Sequence, residues 1–125
     1  MVDTSALLAI ILDVPNRRAC VDAIEADDRP MISAGTMAET LIVAGRRNLQ
    51  AEALDLIEQL ELMVITVTET SAQGIGNAYS RWGRGVHPAG LNFGDCFSYE
   101  LAMVLGCPLL YVGNDFAKTD VASAL

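Results

Sequence analysis

The chain has one histidine, one tryptophan and three cysteines among its 125 residues, and it is poor in positive charge. Each scarcity removes a class of chemistry. His87 has no serine or cysteine nucleophile close by in sequence and no second histidine to share a metal, which argues against a hydrolytic triad or a zinc pair. Cys20, Cys96 and Cys107 form no C-x-x-C pair and are odd in number, the pattern of reduced thiols on core faces rather than of a disulfide framework. No apolar run approaches the ~20 residues of a membrane-spanning helix, so no membrane association is expected. The opening MVDTSALLAIILDVP lacks a basic stretch ahead of its apolar residues, so a secretory leader is not expected and a cytoplasmic location is. Eight Lys and Arg face sixteen Asp and Glu, a formal net charge of −8. That balance does not exclude a nucleic-acid partner, because net charge says nothing about local patches, and the arginines cluster at Arg17 and Arg18, Arg46 and Arg47, and Arg81 and Arg84.

What is present is an alternation of strand-like and helix-like segments over a single domain, residues 1–125, without repeats or linkers. Residues 1–3 read as a very short strand and 5–12 as an apolar helix; 16–26 follow as an amphipathic helix. Residues 30–33 form a second strand, 36–44 a helix stopped at Gly45, and 50–60 another amphipathic helix. Residues 63–67 are β-branched and alternate, the signature of a buried strand, and 69–81 return to helical spacing. Three glycines and a proline mark 81–90 as an exposed, adaptable loop. Residues 93–105 form a strongly apolar helix ended by Gly106 and Pro108, and 109–112 a last buried strand. The expected fold is therefore three-layer α/β/α, around a mostly parallel central sheet of four to five short strands.

In an open parallel sheet, functional groups gather beyond the carboxyl ends of the strands. Four acids belong there: Asp3 after the first strand, Glu39 one turn into the helix after the second, Asp95 at the head of the apolar helix, and Asp115 after the last strand. Each alone has an ordinary explanation as a helix-terminal or turn acid. Glu39 is harder to explain so, because MAETLIVAG surrounds it with apolar residues and no Lys or Arg lies one turn away. Four carboxylates brought together would raise one another's pKa values unless a cation neutralised them. Oxygen-only ligands select a hard ion, Mg²⁺ or Mn²⁺, and one or two such ions would serve phosphodiester chemistry.

The segments VDTSALLAI, SAGTMAET, LNFGDCFSYELA and LLYVGNDFAKTD, in this order and over nearly the whole chain, resemble those of PIN-domain ribonucleases, most closely the VapC-type toxins of prokaryotic toxin–antitoxin pairs. The resemblance implies a PIN-like fold. It places the acidic metal-binding quartet at Asp3, Glu39, Asp95 and Asp115, with Ser5 in the family's hydroxyl position. It further implies Mg²⁺- or Mn²⁺-dependent endoribonuclease cleavage of tRNA, rRNA or mRNA to 5′-phosphate and 3′-hydroxyl ends, inhibition by a VapB-like antitoxin, and homodimers. Only Met1 and Val2 precede Asp3, a shorter apolar run than the family usually has.

A further set of residues is assigned by proximity. Arg81, Arg84, His87 and Lys118 are candidates for RNA phosphate contact, and Trp82 for stacking on an exposed base; a tucked-in Trp82 and a solvated loop are the alternative. Asn92 and Asn114 adjoin acids and are candidates to orient water or substrate, or else turn formers, and Thr119 is a candidate support or a helix cap. Two rival functions keep the fold: a catalytically silent binding module and an RNA-processing nuclease without a toxin role. Phosphatases with an aspartyl-phosphate intermediate fit less well, since the D-x-D they need reads D-x-S here.

Overall fold

The computed structural model describes residues 1–125, and its sheet is built from very short pieces. The two strands with a continuous ladder are β1 (Met31–Ser33) and β2 (Met63–Ile65), paired in parallel with Met31 opposite Met63. Single parallel bridges extend them, Val2 with Leu110 and Leu109 with Ser123. The Val2 amide donates to Met31 O (2.8 Å) and the Asp3 amide to Leu110 O (3.0 Å), so the first residues run between β1 and the Leu109–Leu110 segment. The spatial order is thus β2, β1, residues 1–3, residues 109–110, residues 122–124, with parallel pairing of β2 with β1, Val2 with Leu110 and Leu109 with Ser123. Parallel neighbours require crossovers, and the helices supply them.

Side chains alternate across a strand, and here the alternation sorts the core into two halves. Met1 and Leu109 join Ile75, Ala78, Trp82, Cys96, Tyr99 and Phe116 on one face. Their neighbours Val2 and Leu110 join Ala6, Leu7, Ile10, Cys20, Ile24 and Ile57 on the other. Helices α5 (Glu69–Trp82) and α6 (Asp95–Leu105) cover the first face; α1 (Thr4–Ile11), α2 (Arg17–Glu25) and α4 (Gln50–Gln59) build the second. Helix α3 (Ala34–Gly45) contacts α1, α4 and α6. The three-layer α/β/α expectation holds, with a sheet so short that most of its strands are single bridges.

Local chemistry sets the element ends. Asp3 caps α1 by accepting the Ser5 amide, Ser33 caps α3 and Thr68 caps α5 through their hydroxyls. Helix α6 ends at Gly106, whose φ of 62° lies in the left-handed region that glycine enters without strain. Three details differ from expectation. Gly45 is the last residue of α3 rather than the residue after it, and the left-handed backbone comes later, at Asn48 (φ 58°). Strand β2 is exposed rather than buried because it is the edge of the sheet. The 81–90 loop is pinned, not loose: the Leu91 amide donates to Trp82 O and the Arg84 amide to Leu91 O, each at 3.0 Å. The final bridge at Ser123 was not foreseen. No helix is long and apolar enough to cross a membrane, and all three cysteines are free thiols.

Candidate functional site

Asp3 is only 2% exposed, yet both of its carboxylate oxygens are satisfied. Oδ2 accepts from the Ser5 amide (2.9 Å) and the Ser5 hydroxyl (2.6 Å), and Oδ1 accepts from the Ser98 hydroxyl (2.6 Å). The Ser5 hydroxyl also accepts the Val112 amide at 3.0 Å, which ties the head of α1 to the end of the neighbouring strand. A buried carboxylate needs such donors to replace the water it has lost. Ser5 therefore holds Asp3 in position, and Ser98, one turn beyond Asp95 on the same face of α6, does so from the other side. The sequence reading missed Ser98; its i, i+3 spacing from Asp95 was the available signal.

Asp95 is fixed by a reciprocal clasp. The Asn92 amide donates to Asp95 Oδ2 (2.7 Å), and the Asp95 amide donates to Asn92 Oδ1 (2.9 Å). This is a capping box made with Asn and Asp, and it turns the start of α6 so that the carboxylate faces the site. Asn92 thus acts as a turn former that aims the acid. Burial pushes the Asp95 pKa up to about 7; the Asn92 amide opposes the shift, and the negative charges of Asp3, Glu39 and Asp115 add to it.

Glu39 lies on α3 with its carboxylate directly against the Cα of Gly94, where any side chain would collide with it. The Thr4 hydroxyl donates to Glu39 Oε2 at 2.9 Å, and Thr40 Oγ1 lies 3.2 Å behind Thr4 Oγ1. Thr4, like Ser98, escaped the sequence reading. Burial raises the Glu39 pKa, the Thr4 hydrogen bond lowers it, and the charge of Asp3 raises it again. Asp115 stands exposed after Gly113, whose φ of 112° lets the chain turn back beside the sheet end. No protein group hydrogen-bonds its carboxylate.

The four acids therefore share one electrostatic environment, without a protein cation. The three ion pairs of the molecule, Arg17 with Asp13, Arg18 with Asp22 and Arg81 with Asp120, include none of them. As the side chains stand, no three carboxylates close around one point as a finished ion cage. The donor set nevertheless fits a hard divalent cation: oxygen atoms only, raised pKa values at Asp95 and Glu39, a free oxygen on Asp95 and an unengaged Asp115.

The loop residues divide differently from expectation. Trp82 is 9% exposed and donates from Nε1 to the Tyr99 hydroxyl (2.8 Å), which donates on to Asp120 (2.6 Å). It is a core residue, not a base-stacking platform. Arg81 pairs with Asp120 at 3.0 Å and lies over the Trp82 ring at 4.4 Å, so its charge is already engaged. The His87 ring meets Trp82 edge-on (4.6 Å) and its Nδ1 accepts the Ala89 amide (3.1 Å), an arrangement that shapes the loop. Lys118 reaches Pro88 O at 3.3 Å, and the Thr119 hydroxyl closes the turn Phe116–Lys118 through Phe116 O at 2.8 Å. Asn114 is exposed and makes no side-chain hydrogen bond, while Arg84 is exposed and carries no carboxylate partner.

Comparison with known proteins identifies the fold and the family. The family model described as PIN domain matches residues 1–122. Ribonuclease VapC28 of Mycobacterium tuberculosis is 46% identical over 129 residues, covering 100% of this chain and 97% of the relative. Ribonuclease VapC of Mycolicibacterium smegmatis is 40% identical over 126 residues, covering 98% of each chain. Among solved structures, VapC20 of M. tuberculosis, described as a toxin that cleaves the sarcin-ricin loop, superposes with a TM-score of 0.77 over 97% of this chain and 95% of its own. Its 17% identity makes it a match of fold. The chain belongs to the PIN-domain family and, within it, to the VapC-type ribonucleases.

Proposed function

We propose that this protein is a Mg²⁺- or Mn²⁺-dependent endoribonuclease that hydrolyses RNA phosphodiester bonds as the toxin of a toxin–antitoxin pair. The observation that carries the reading is the group of four acids at one end of the parallel sheet with no protein cation to offset it. Asp3, Asp95 and Asp115 would hold the ion directly or through water, with Glu39 completing the set. When bound, one or two divalent ions would supply Lewis-acid stabilisation of the phosphodiester and a more acidic water.

The chain's own residues then have distinct tasks. Glu39 sits half-buried with a raised pKa and one oxygen held by Thr4, which suits it to take a proton from the attacking water. Ser5 and Ser98 fix Asp3 from both sides, and Asn92 fixes Asp95, so that acids from distant parts of the sequence keep one arrangement. An ion that cancels the carboxylate charge would also let an RNA backbone approach a protein of net charge −8. The similarity to VapC ribonucleases supports RNA as substrate, a VapB-like antitoxin as inhibitor, a cytoplasmic site of action and a homodimer.

The test is incubation of the purified, antitoxin-free protein with pooled tRNA, rRNA and mRNA and Mn²⁺ or Mg²⁺, beside EDTA and Asp95→Asn controls. Discrete cuts lost in both controls are expected. Cuts that survive either control would overturn the metal-dependent reading of these acids, and intact RNA with folded, metal-loaded protein would favour a silent binding module instead.

A further inference from the structure

Beside the acids lies an open cleft of about 260 Å³ lined by Tyr79, Arg84, Asn92 and Phe93. Asn92 belongs both to this cleft and to the clasp that aims Asp95, so the two sites are contiguous. Phe93 is 70% exposed, two residues before Asp95, and its ring is braced edge-on by Phe97 at 4.9 Å. Phe97 in turn lies on the backbone of Gly35. A large aromatic ring held out to solvent by a packed neighbour is a prepared stacking surface rather than a loose side chain. Arg84 supplies a cation that no carboxylate of the chain neutralises, on a loop whose backbone is hydrogen-bonded to Leu91. Tyr79 forms another wall of the cleft. Trp82 and Arg81 cannot serve here, being committed to Tyr99 and Asp120.

We propose that this cleft seats one unstacked base of single-stranded RNA next to the scissile phosphate, with Phe93 stacking on the base and Arg84 contacting the adjoining phosphate. The assignment rests on the nuclease reading above and names the residues that hold the nucleotide beside the cut, which must be free of its helix to reach them. A paired base keeps its stacking partners and cannot offer its face to Phe93. Phe93 and Arg84 bind and position substrate; neither takes part in proton transfer.

The experiment uses a short single-stranded RNA carrying 2-aminopurine at its centre, whose fluorescence is quenched on stacking, titrated in Mn²⁺ with the full chain in an Asp95→Asn background so that no cleavage intervenes. Quenching is expected. Adding Phe93→Ala should abolish it and weaken binding roughly 5- to 100-fold, whereas Phe93→Trp should retain it. Arg84→Ala should weaken binding and lower the salt dependence, log Kd against log salt, by about 0.7. Absence of quenching, equal quenching by Phe93→Ala, or equal quenching of a fully paired duplex would each overturn the proposal. Cleavage assays separate it from the nuclease reading: in the otherwise native chain, Phe93→Ala should raise KM with little change in kcat. Cutting that Phe93→Ala leaves unaltered sinks the base seat alone; quenching without any cutting by the native chain sinks the nuclease alone.

Discussion

The Ser98 hydroxyl donates to Asp3 Oδ1 across 2.6 Å, joining the middle of α6 to the third residue of the chain. The bond brings together segments that no local interaction could, and it supplies one of the donors that satisfy the almost fully buried Asp3 carboxylate. Ser98→Ala removes it without altering the backbone. The expected cost is about 1.5–3 kcal/mol, the range for a hydrogen bond to a charged group, measured by urea unfolding. RNA cleavage should fall as well, because Asp3 would then be held from one side only.

Gly94 is the second positional device. Any side chain there would occupy the space of the Glu39 carboxylate. The backbone at Gly94 is helical, with φ −64° and ψ −43°, so alanine is conformationally acceptable and its effect is a matter of space alone. Gly94→Ala should leave the circular dichroism spectrum unchanged while lowering kcat at least tenfold, an estimate based on displacing a proposed proton acceptor. Unchanged kcat would mean that Glu39 has no role in the chemistry.

The acids also predict how stability depends on pH in metal-free protein. The folded-state pKa of Asp95 is raised from 3.8 to about 7, so the native state favours the protonated acid. Stability from this group is full below the unfolded value and is lost as pH rises through about 7, the reverse of a salt-bridged aspartate. Glu39 shifts in the same direction and adds to the trend. Metal-free protein should be more stable near pH 5 than near pH 8, by on the order of 2 kcal/mol once solvent screening is discounted. Asp95→Asn should flatten that slope in thermal melts, and saturating Mn²⁺ should do the same at pH 8. A slope that persists unchanged in the variant would assign the effect elsewhere.

The sequence made the layered fold legible because strand-like and helix-like segments alternate, and each short strand keeps its two-residue period well enough to place Met1 and Val2 on opposite faces. The exposure of β2 was not legible: MVITV is β-branched whether it lies in the centre of a sheet or at its edge, and only the pairing order decides. The terminal bridge at Ser123 was hidden in VASAL, which lacks a strand pattern and is held by backbone bonds to Leu109. At the candidate site, acids could be singled out because charge among apolar residues is conspicuous. Thr4 and Gly94 could not, and Ser98 only through its spacing from Asp95, since a serine in a helix or a glycine before one has many ordinary uses. Trp82 shows the same limit from the other side: a tryptophan in a glycine-rich segment looks available for stacking until Tyr99, from a different helix, meets its indole.

That last contact yields the remaining prediction. Trp82 Nε1, the Tyr99 hydroxyl, Asp120 and Arg81 form one chain of polar contacts that locks α5 to α6 and to the segment leading into residues 122–124. Phenylalanine at position 82 keeps most of the apolar contact but leaves the Tyr99 hydroxyl without its donor. Trp82→Phe should therefore destabilise by about 1–3 kcal/mol, combining lost volume with a lost hydrogen bond. RNA affinity, measured by fluorescence anisotropy at a temperature where both proteins are folded, should be unchanged, because Trp82 faces Tyr99 and not solvent. A drop in affinity with stability intact would return Trp82 to the substrate surface and remove the need for Phe93 there.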